Sequence, residues 1–447
     1  MLEPGEIPEI EPNIRVGIIL PEDERVNISI ELPADQDYLL VDTNSKLRKL
    51  KKGKLLNFRI DNEQCFLDRE NSSLIKSTGF KIVPVSDDYK MKKKAGVKVK
   101  NVVSGRSFHW KKNIDVNLTG SIEIIPHINN IILINELPLE EYLMCVATSE
   151  MGITCPDALL ESQTIIARSW ILANVEQKHR HLGMDVCNDD CCQRYQGTNN
   201  LSQQSTQGAR NTFGQVLIYE NSICDTRYSK SCGGVLESFN NVWNGASKPY
   251  LKPIPDAPAD FNNSNLPLNT ENKVNGWITS EPETFCSPHY IPEEELIQYL
   301  GSIDKAGRYF RWEFHYTQEE LTALLNKKCA LKAEKIIAIK PVKRGYSGRL
   351  IKLRIEYLKN GQRQAKLIED QYRIRECFHE SFLYSSAFIV EPDSGSIPPT
   401  GFTLKGAGWG HGVGYCQIGA LGMALHDYST EDILSHYYPG AKLIKIY

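Results

Sequence analysis

The first 135 residues alternate between short runs rich in β-branched and aromatic residues and short polar turns. Runs such as NIRVGIIL, RVNISIEL and LLNFRI have the length and composition of β-strands. The run SIEIIPHINNIILINEL, residues 121–137, predicts a hairpin with Asn129 and Asn130 at its turn. We therefore expect residues 1–135 to form a β-rich N-terminal region.

The spacing of the apolar residues changes near Leu137. The segment PLEEYLMCVATSEMG has apolar residues at helical intervals and reaches Gly152, which is a plausible stop. Pro156 then stands near the start of a second, longer helical segment. Residues of about 137–176 are thus predicted to form a helical core packed with antiparallel or mixed strands, and the fold class is α+β.

The remaining patterns divide the chain into further regions. Residues 136–252 are expected to hold the helix pair and a cysteine-containing loop. Residues 253–390 are interpreted as an inserted α+β region, with helical patterns over 292–328 and strand-like runs after them. Residues 391–447 are expected to be a glycine-rich C-terminal part that completes the core formed by 136–252.

Composition and charge narrow the functional classes. The 447 residues are 41% hydrophobic and 24% charged, as in ordinary globular proteins, and the formal net charge is only -3. No basic excess indicates nucleic acid as a partner. No apolar run approaches the roughly 18–20 residues of a transmembrane segment. The start, MLEPGEIPEI, lacks the features of a secretory signal, so either the protein stays inside the cell or an export segment is absent from this sequence.

One cluster stands out among the 12 cysteines, since the others are scattered singly along the chain. In HLGMDVCNDDCC, the residues His181, Cys187, Cys191 and Cys192 could supply the four ligands of a closed tetrahedral zinc site. His179 is a competing ligand, and a disulfide or free thiols are the alternatives to a metal. The expected cofactor is therefore a structural zinc ion.

Glu150 is the candidate acid. On a helix it lies on the same stripe as Leu143, Val146 and Ala147. Burial at the end of an apolar stripe favours the protonated form of a carboxyl group, and a glycosidic oxygen needs such an acid to leave. The alternative is that Glu150 is a surface residue at a frayed helix end. The pattern alone leaves both interpretations open.

The glycine-rich segment 406–414 surrounds Trp409 and His411. Such a run lets the main chain approach a ligand closely, so His411 and Gln417 could contact a sugar or position the acid. The alternative is a tight turn in which His411 is structural. Other tryptophans are expected in the core or along a groove: Trp110, Trp243, Trp277 and Trp312.

Three ordered blocks of sequence carry a resemblance to a known family. They are LPLEEYLMCVATSEM with the following DALLESQTIIARSWILAN, YSKSCGG with the later VW and PYL, and GAGWGHGVGYCQIGALGMALHDYSTEDILSHYYPGAKL. Together they resemble the SpoIID/LytB family, which includes lytic transglycosylases of the stage II sporulation protein D type and amidase enhancers. Cys416 and Ser149 depart from the family pattern, in which serine and alanine are commoner.

The resemblance implies a SpoIID-like fold and assigns roles to the matching residues. Glu150 corresponds to the proposed catalytic glutamate. Some members carry a zinc ion bound by histidine and cysteine in the loop that here ends at Cys192. Other matching positions are expected to bind substrate: Arg168, Tyr228, Ser229, Ser231, Gly233, Gly234, His411, Gly412 and Gln417.

The activity implied by the resemblance is cleavage of the MurNAc-β-1,4-GlcNAc bond of denuded peptidoglycan glycan strands, giving 1,6-anhydroMurNAc ends. One carboxylate suffices, because the acid that protonates the leaving oxygen then accepts the proton of the muramoyl C6 hydroxyl. The implied partners are glycan strands and, for an enhancer, a cell-wall amidase, and the implied location is extracytoplasmic. A non-catalytic glycan-binding amidase enhancer and a zinc hydrolase are the alternatives.

Overall fold

The computed structural model describes residues 1–68, 74–86, 91–106, 111–300, 308–393 and 395–447. Trp110 lies outside these residues. Within them, no helix is both long and apolar enough to cross a membrane. The described chain mixes helices and strands, so the predicted α+β class is confirmed.

The strands of the described residues, in chain order, are β1 (Asn13–Ile19), β2 (Asn27–Glu31), β3 (Tyr38–Asp42), β4 (Leu47–Lys49), β5 (Leu55–Asp61), β6 (Gln64–Leu67), β7 (Ile75–Ser77), β8 (Phe80–Pro84), β9 (Val97–Ser104), β10 (Lys112–Leu118), β11 (Ser121–His127), β12 (Asn130–Pro138), β13 (Val186–Cys187), β14 (Gln215–Tyr219), β15 (Ser222–Ile223), β16 (Tyr228–Ser229), β17 (Arg311–Thr317), β18 (Lys335–Arg344), β19 (Leu350–Lys359), β20 (Gln362–Glu369), β21 (Phe388–Pro392), β22 (Gly401–Ala407), β23 (Tyr415–Cys416) and β24 (Lys442–Lys445). The α-helices are α1 (Leu139–Glu150), α2 (Asp157–Ala173), α3 (Gln203–Asn211), α4 (Glu271–Ile278), α5 (Glu293–Leu296), α6 (Gln318–Cys329), α7 (Gln371–Cys377), α8 (Gln417–Leu425) and α9 (Thr430–Tyr437).

The N-terminal region folds into two sheets. One has the strand order β13-β1-β12-β11-β8-β3-β4 and the other β10-β9-β2-β5-β6-β7. Strands such as β3 bury alternate residues, here Tyr38 and Leu40, because successive side chains of a strand point to opposite faces. The predicted hairpin is β11–β12, but His127 pairs with Asn130, so its turn is one residue earlier than expected and Ile128 takes a left-handed φ of 55°.

Helix α1 begins where β12 ends, and it is buried on nearly all sides. It packs against β1 and β12 as well as against α2 and α3. Apolar residues from the N-terminal strands and from α1 and α2 join one hydrophobic core. A carboxylate at the end of this helix is therefore surrounded by protein unless a cleft opens beside it.

The inserted region contains the three-stranded sheet β18-β19-β20, and its strand β17 belongs to a second three-stranded sheet, β17-β22-β21. Of the segment predicted as helical over 292–328, α5 and α6 are helices. Residues Arg311–Thr317 are instead strand β17, because they pair along their whole length with Gly401–Ala407. That partner, β22, lies in the segment interpreted only as glycine-rich.

The C-terminal residues return to the core and complete it. Strand β23 pairs in parallel with β16, and β24 pairs antiparallel with β14. Helix α9 starts with a capping box in which Ser429 and Asp432 exchange hydrogen bonds. The Tyr447 hydroxyl donates to Glu140 of α1 at 2.8 Å.

Candidate active site

Glu150 is the last residue of α1, and its side chain is held by three donors. Its residue surface is 7% exposed. Its Oε1 accepts hydrogen bonds from the main-chain N–H of Arg194 and from the Tyr228 hydroxyl, each at 3.0 Å. Its Oε2 accepts one from the Gln417 amide at 3.4 Å. The carboxyl group is therefore fixed in position rather than frayed into solvent.

The end of α1 is also tied to the chain around it. Lys230 donates from Nζ to the main-chain carbonyl of Glu150 at 2.8 Å, which places a cation at the C-terminus of the helix. The main-chain N–H of Gln196 donates to the Ser149 hydroxyl at 3.3 Å. These bonds compensate a helix end that lacks main-chain partners for its last carbonyls.

A cavity of about 540 Å³ opens beside Glu150. Its walls come from the N-terminal region, the core, the inserted region and the C-terminal part. The residues that line it include Glu150, Asp190, Tyr228, Ser229, Lys230, Trp243, Tyr372, Arg375, Phe382, Trp409, His411 and Gln417. The volume is that of a ligand-binding cleft.

The glycine-rich segment and the segment that follows β16 form one wall together. Ser229 pairs with Cys416 in the parallel β16–β23 ladder, and Ser231 pairs with Trp409 in an isolated bridge. These main-chain contacts bring His411 and Gln417 to the same cavity as Glu150, although 267 residues separate Gln417 from it in sequence.

His411 is oriented by the main chain on both sides of its ring. Its Nδ1 accepts from the Val413 N–H at 3.0 Å, and the ring also hydrogen-bonds the main chain of Tyr228. Its edge meets Trp243 with ring centroids 4.8 Å apart. Burial lowers the pKa of His411 well below its ordinary value, and the charge of Arg227 acts in the same direction. A neutral His411 thus shapes the wall of the cleft.

Several residues expected to bind substrate lie behind this wall. Gly412 has a φ of 75°, and a Cβ there would come within 2.4 Å of the Arg349 guanidinium. Ser231 is fully buried, and Gly233 and Gly234 pack against the main chain near Gly408 and against Trp277. These four residues do not line the cavity, because packing occupies the space around them.

Arg168 also lies in the core and not in the cleft. It is fully buried, and its guanidinium forms two hydrogen bonds with Glu140, at 2.8 and 2.6 Å. It donates a third to the main-chain carbonyl of Gln215. Its match to the family motif therefore reflects a buried ion pair between α1 and α2, and Arg168 does not line the cavity.

The cysteine loop brings together His179, Cys187, Cys191 and Cys192, with one potential ligand atom from each within 4.8 Å of the others. Of the two candidate histidines, the structure places His179, and not His181, beside the cysteines. His181 sits on a 3₁₀ turn, Arg180–Leu182, and is exposed, whereas Nε2 of His179 lies 3.6 Å from the Cys191 sulfur. Hydrogen bonds from Cys187 and Cys192 lower the pKa of Cys191, so its thiolate is favoured. Three sulfurs and an imidazole suit a zinc ion.

Asp190 is a second acid in the cleft that the sequence reasoning missed. It pairs with Arg194 at 3.1 Å, and Arg194 is the residue whose N–H holds Glu150. Burial raises the pKa of Asp190 to about 7, against the opposing charge of Arg194 and with a further contribution from Glu150. In the sequence it appeared only as a spacer between cysteines, and no local pattern distinguished it.

The predicted tryptophans divide between wall and core. Trp243 lines the cavity, whereas Trp277 and Trp312 are buried. Trp409 also lines it and is stacked against Tyr309 and Tyr384, with centroids 4.9 and 4.6 Å away. The inserted region adds Tyr372, Arg375 and Phe382, which sequence reasoning did not single out because nothing local marks them.

Two family models match segments of this chain, and several known proteins are similar to most of it. Residues 127–219 match the family model described as Stage II sporulation protein, and residues 237–414 match a domain of unknown function (DUF8618). Stage II sporulation protein D of Bacillus amyloliquefaciens is 25% identical over 69% of this chain and 75% of its own length. The Amidase enhancer of Bacillus subtilis is 22% identical over 67% of this chain and 39% of its own length.

The family model and these relatives confirm the resemblance to the SpoIID/LytB family. An uncharacterized protein of Brachyspira hyodysenteriae is a further relative, 24% identical over 73% of this chain and 72% of its own. The SpoIID match contains Glu150 and the whole cysteine loop. The second model contains His411 and the inserted region, and Gln417 follows it. The cleft is thus formed by residues from both matched segments and from outside them.

Proposed function

We propose that the protein is a lytic transglycosylase that cleaves the MurNAc-β-1,4-GlcNAc bond of denuded peptidoglycan, with Glu150 as its acid and base. One observation carries the proposal. The Glu150 carboxyl is held by Tyr228, Gln417 and the Arg194 N–H at the wall of a cleft of about 540 Å³. Its action on this polymer requires a location outside the cytoplasmic membrane, which is part of the same proposal.

The reaction needs one proton carrier and no added water. Glu150 protonates the bridging oxygen as the bond from that oxygen to C1 of MurNAc breaks. The C6 hydroxyl oxygen of the same sugar then bonds to C1, and its proton passes to Glu150, which restores the acid. The products are a 1,6-anhydroMurNAc end and a GlcNAc end with a free hydroxyl. One carboxyl group thus serves both half-reactions.

The three donors hold the carboxylate that exists between these two proton transfers. Burial raises the pKa of Tyr228 well above its ordinary value, and the charge of Glu150 adds to the effect, so the Tyr228 hydroxyl stays a donor. Both Tyr228 and the Arg194 N–H are directed to Oε1. Oε2 has the longer contact, with Gln417, and is the oxygen better placed to exchange a proton with a sugar.

The remaining lining fits a glycan with carboxylates. Trp243 and Trp409 line the cleft with apolar aromatic edges, because Phe239 and Arg227 pack on the ring of Trp243 and two tyrosines stack on that of Trp409. Arg375 and Lys230 offer positive charge to the lactyl carboxylates of MurNAc, which are free of peptide in denuded strands. The cleft therefore combines the two kinds of contact that such a strand needs.

We propose that His179, Cys187, Cys191 and Cys192 hold a zinc ion with a structural role. Four side-chain donors complete a tetrahedral set, and zinc bound in this way crosslinks the chain. The loop it would hold supplies the Arg194 and Gln196 N–H groups that fix the end of α1. A complete donor set does not favour a zinc hydrolase, which needs an open position for water.

A second candidate function is glycan binding without cleavage, in support of a cell-wall amidase. A relative named Amidase enhancer favours it. The Asp190 carboxyl favours a third outcome, hydrolysis, because a second acid in the cleft could activate water. Product analysis separates these possibilities.

The test uses purified denuded glycan strands, the protein and its Glu150→Gln variant. We expect cleavage by the protein, at least about 1,000-fold slower cleavage by the variant, and unchanged glycan binding, because glutamine keeps the shape but carries no exchangeable acid proton. Glu141→Gln, on the same helix but outside the cavity lining, is the matched control and should keep full activity.

Mass spectrometry of the products identifies the reaction. Anhydro ends support the proposal, and reducing MurNAc ends would replace it with hydrolysis involving Asp190. Binding without any cleavage by the unaltered protein would favour the amidase-enhancer alternative.

A further inference from the structure

A second group of metal-binding side chains lies inside the protein, away from the cleft. It consists of Cys232, Asp256, Cys286 and Cys416, and each of these residues is at most 3% exposed. One ligand atom from each lies within 4.8 Å of the others. The four residues come from four separate segments of the chain, so the fold, and not a local motif, brings them together.

The distances between the atoms fit one metal ion. The Cys232 sulfur lies 3.6 Å from the Cys286 sulfur and 3.1 Å from Oδ2 of Asp256. A disulfide would need sulfurs about 2.05 Å apart. A tetrahedral zinc ion with Zn–S bonds of about 2.3 Å separates its sulfurs by about 3.8 Å. The observed spacing is therefore that of ligands around a single ion.

The sulfurs receive main-chain hydrogen bonds of the kind that stabilise thiolates. Cys416 accepts from the N–H groups of Cys232 and Gly419, at 3.2 and 3.3 Å. Cys232 accepts from the N–H of Gly234 at 3.3 Å. Donors aimed at sulfur stabilise its negative charge, as they do around metal-bound cysteines.

The carboxylate of Asp256 is oriented from its far side. Its Oδ1 accepts from the Tyr437 hydroxyl at 2.7 Å and lies 3.3 Å from Nε2 of His436, which leaves Oδ2 directed at the sulfurs. A Cβ at position 419 would come within 2.3 Å of Oδ2, so Gly419 permits this close approach. Ligands of metal ions are commonly held by such outer hydrogen bonds.

Two guanidinium groups supply the opposite charge. Arg349 is fully buried and donates twice to the Cys232 carbonyl, at 3.2 Å, and once to the Ser347 hydroxyl, which in turn bonds Glu237. Arg311 donates to four main-chain carbonyls, among them that of Gly233. Three thiolates and a carboxylate around a dication carry a net charge of -2, and Arg349 and Arg311 place positive charge beside this cluster.

We infer that Cys232, Asp256, Cys286 and Cys416 form a second, structural zinc site. Three sulfur ligands select zinc over magnesium or calcium, and a carboxylate oxygen is an accepted fourth ligand. The ion would join the segment after β16 to the segment before α8, and these two segments form the cleft wall that carries His411 and Gln417. It would also fasten the inserted region, through Cys286, to that wall.

The first test removes the loop ligand and leaves the buried cluster intact. We expect the purified protein to hold two zinc ions per chain by elemental analysis and native mass spectrometry, and the exposed-loop variant Cys191→Ser to hold one. X-ray absorption by that remaining zinc should show three sulfur ligands and one oxygen. A Cys191→Ser protein without metal, or one whose mass shows a disulfide, would overturn the proposal.

The second test removes the buried cluster. Cys286→Ser should lose one zinc ion and keep the other, while Cys224→Ser, a buried cysteine outside both groups, should keep both. A folded Cys286→Ser protein with two zinc ions would contradict the assignment. If Cys286→Ser does not fold, the measurements on Cys191→Ser decide the question, because they do not disturb the buried cluster.

Discussion

The surroundings of Glu150 come from residues that are distant in the chain. Its three donors lie 44, 78 and 267 residues away in sequence. The apolar pattern of α1 predicted a partly buried acid, and the helix is in fact buried on nearly all sides. Which side chains would reach the carboxyl could not be read from that pattern, because it depends on how β16 and β23 pair.

We expect Tyr228→Phe to lower kcat for glycan cleavage by about 10- to 100-fold while KM changes little. The substitution removes a hydrogen bond to Glu150 that is strongest when the carboxylate is charged, and a bond to a charged group contributes about 1.5–3 kcal/mol. Steady-state kinetics on purified strands measures the effect. Tyr372→Phe, at another tyrosine of the cavity lining, is the control. An equal loss of kcat in that variant would contradict the role of the Tyr228 hydroxyl in holding Glu150.

Physical reasons explain which residue positions in the folded protein could be predicted from the sequence and which could not. Residue type and spacing located the zinc-type loop, but they could not choose between His179 and His181, because a single 3₁₀ turn decides which ring faces the cysteines. A motif match could not show that Arg168 pairs with Glu140 inside the core. Asp190 carried no local signal, since its proximity to Glu150 arises only in the folded loop.

At the scale of elements, the cysteine loop braces the end of α1. Two of its main-chain N–H groups, those of Arg194 and Gln196, bond the last two residues of that helix. The existence of both helices followed from the spacing of apolar residues and from Pro156. The contact between the loop and the helix could not be predicted, because nothing in the sequence of either segment indicates that it packs against the other.

We expect Cys187→Ser to release the loop zinc, lower the melting temperature and speed amide exchange over residues 179–197. Cleavage should fall as well, because the N–H groups that hold Glu150 and Ser149 belong to this loop. Calorimetry, elemental analysis and hydrogen-exchange mass spectrometry measure these changes. Cys65→Ser removes a buried cysteine elsewhere and should keep the full zinc content. Unchanged zinc and exchange in Cys187→Ser would contradict the role assigned to the loop.

The N-terminal sheet contains an ion network whose effect depends on pH. Burial alone would raise the pKa of Glu123, but the hydrogen bonds and charges of Arg15 and Lys81 lower it from 4.5 to about 2. A lowered carboxyl pKa stabilises the fold at every pH above about 4.5. That stabilisation is lost as the pH falls from about 4.5 to about 2.

We therefore expect Glu123→Gln to lower the free energy of unfolding at pH 7, and the difference from the unaltered protein to shrink as the pH approaches 2. Denaturant unfolding of both proteins at several pH values measures this. Glu6→Gln, at an exposed position, should follow the unaltered protein throughout. A difference that stays constant with pH would show that the ion network does not act in this way.

At the scale of the whole molecule, the cleft is an assembly of regions that are remote in sequence. The α+β class, the β-rich start and the helix pair could be predicted from periodicity. The wall formed by Tyr372, Arg375 and Phe382 could not, because it depends on how the inserted sheets rest against the core. Strand β22 was missed for the same reason, since its partner β17 is about 90 residues upstream.

We expect Arg375→Gln to raise KM for denuded glycan about 5-fold at low salt, with kcat little changed. Burial, helped by the charge of Arg349, lowers the pKa of Arg375 to about 9, so the side chain remains positive near neutral pH and attracts the lactyl carboxylates. Rising salt should reduce the difference from the unaltered protein. Arg373 lies on the same helix outside the cavity lining, so Arg373→Gln should leave KM unchanged. An equal rise in KM there would show that the overall charge of the protein, and not Arg375 itself, attracts the glycan.

The return of the C-terminal segments to the core has a consequence for synthesis. While the chain is being made, Glu150 leaves the ribosome long before Gln417, and Arg168 leaves before the tyrosine at 447 that bonds its partner Glu140. Strand β14 likewise cannot pair with β24 until β24 has been synthesised. Until residues 415–447 have left the ribosome, Glu150 therefore lacks its hydrogen bond from Gln417 and the strand pairing between β16 and β23. The proposed wall-cleaving activity therefore requires residues 415–447 and can begin only after they have left the ribosome.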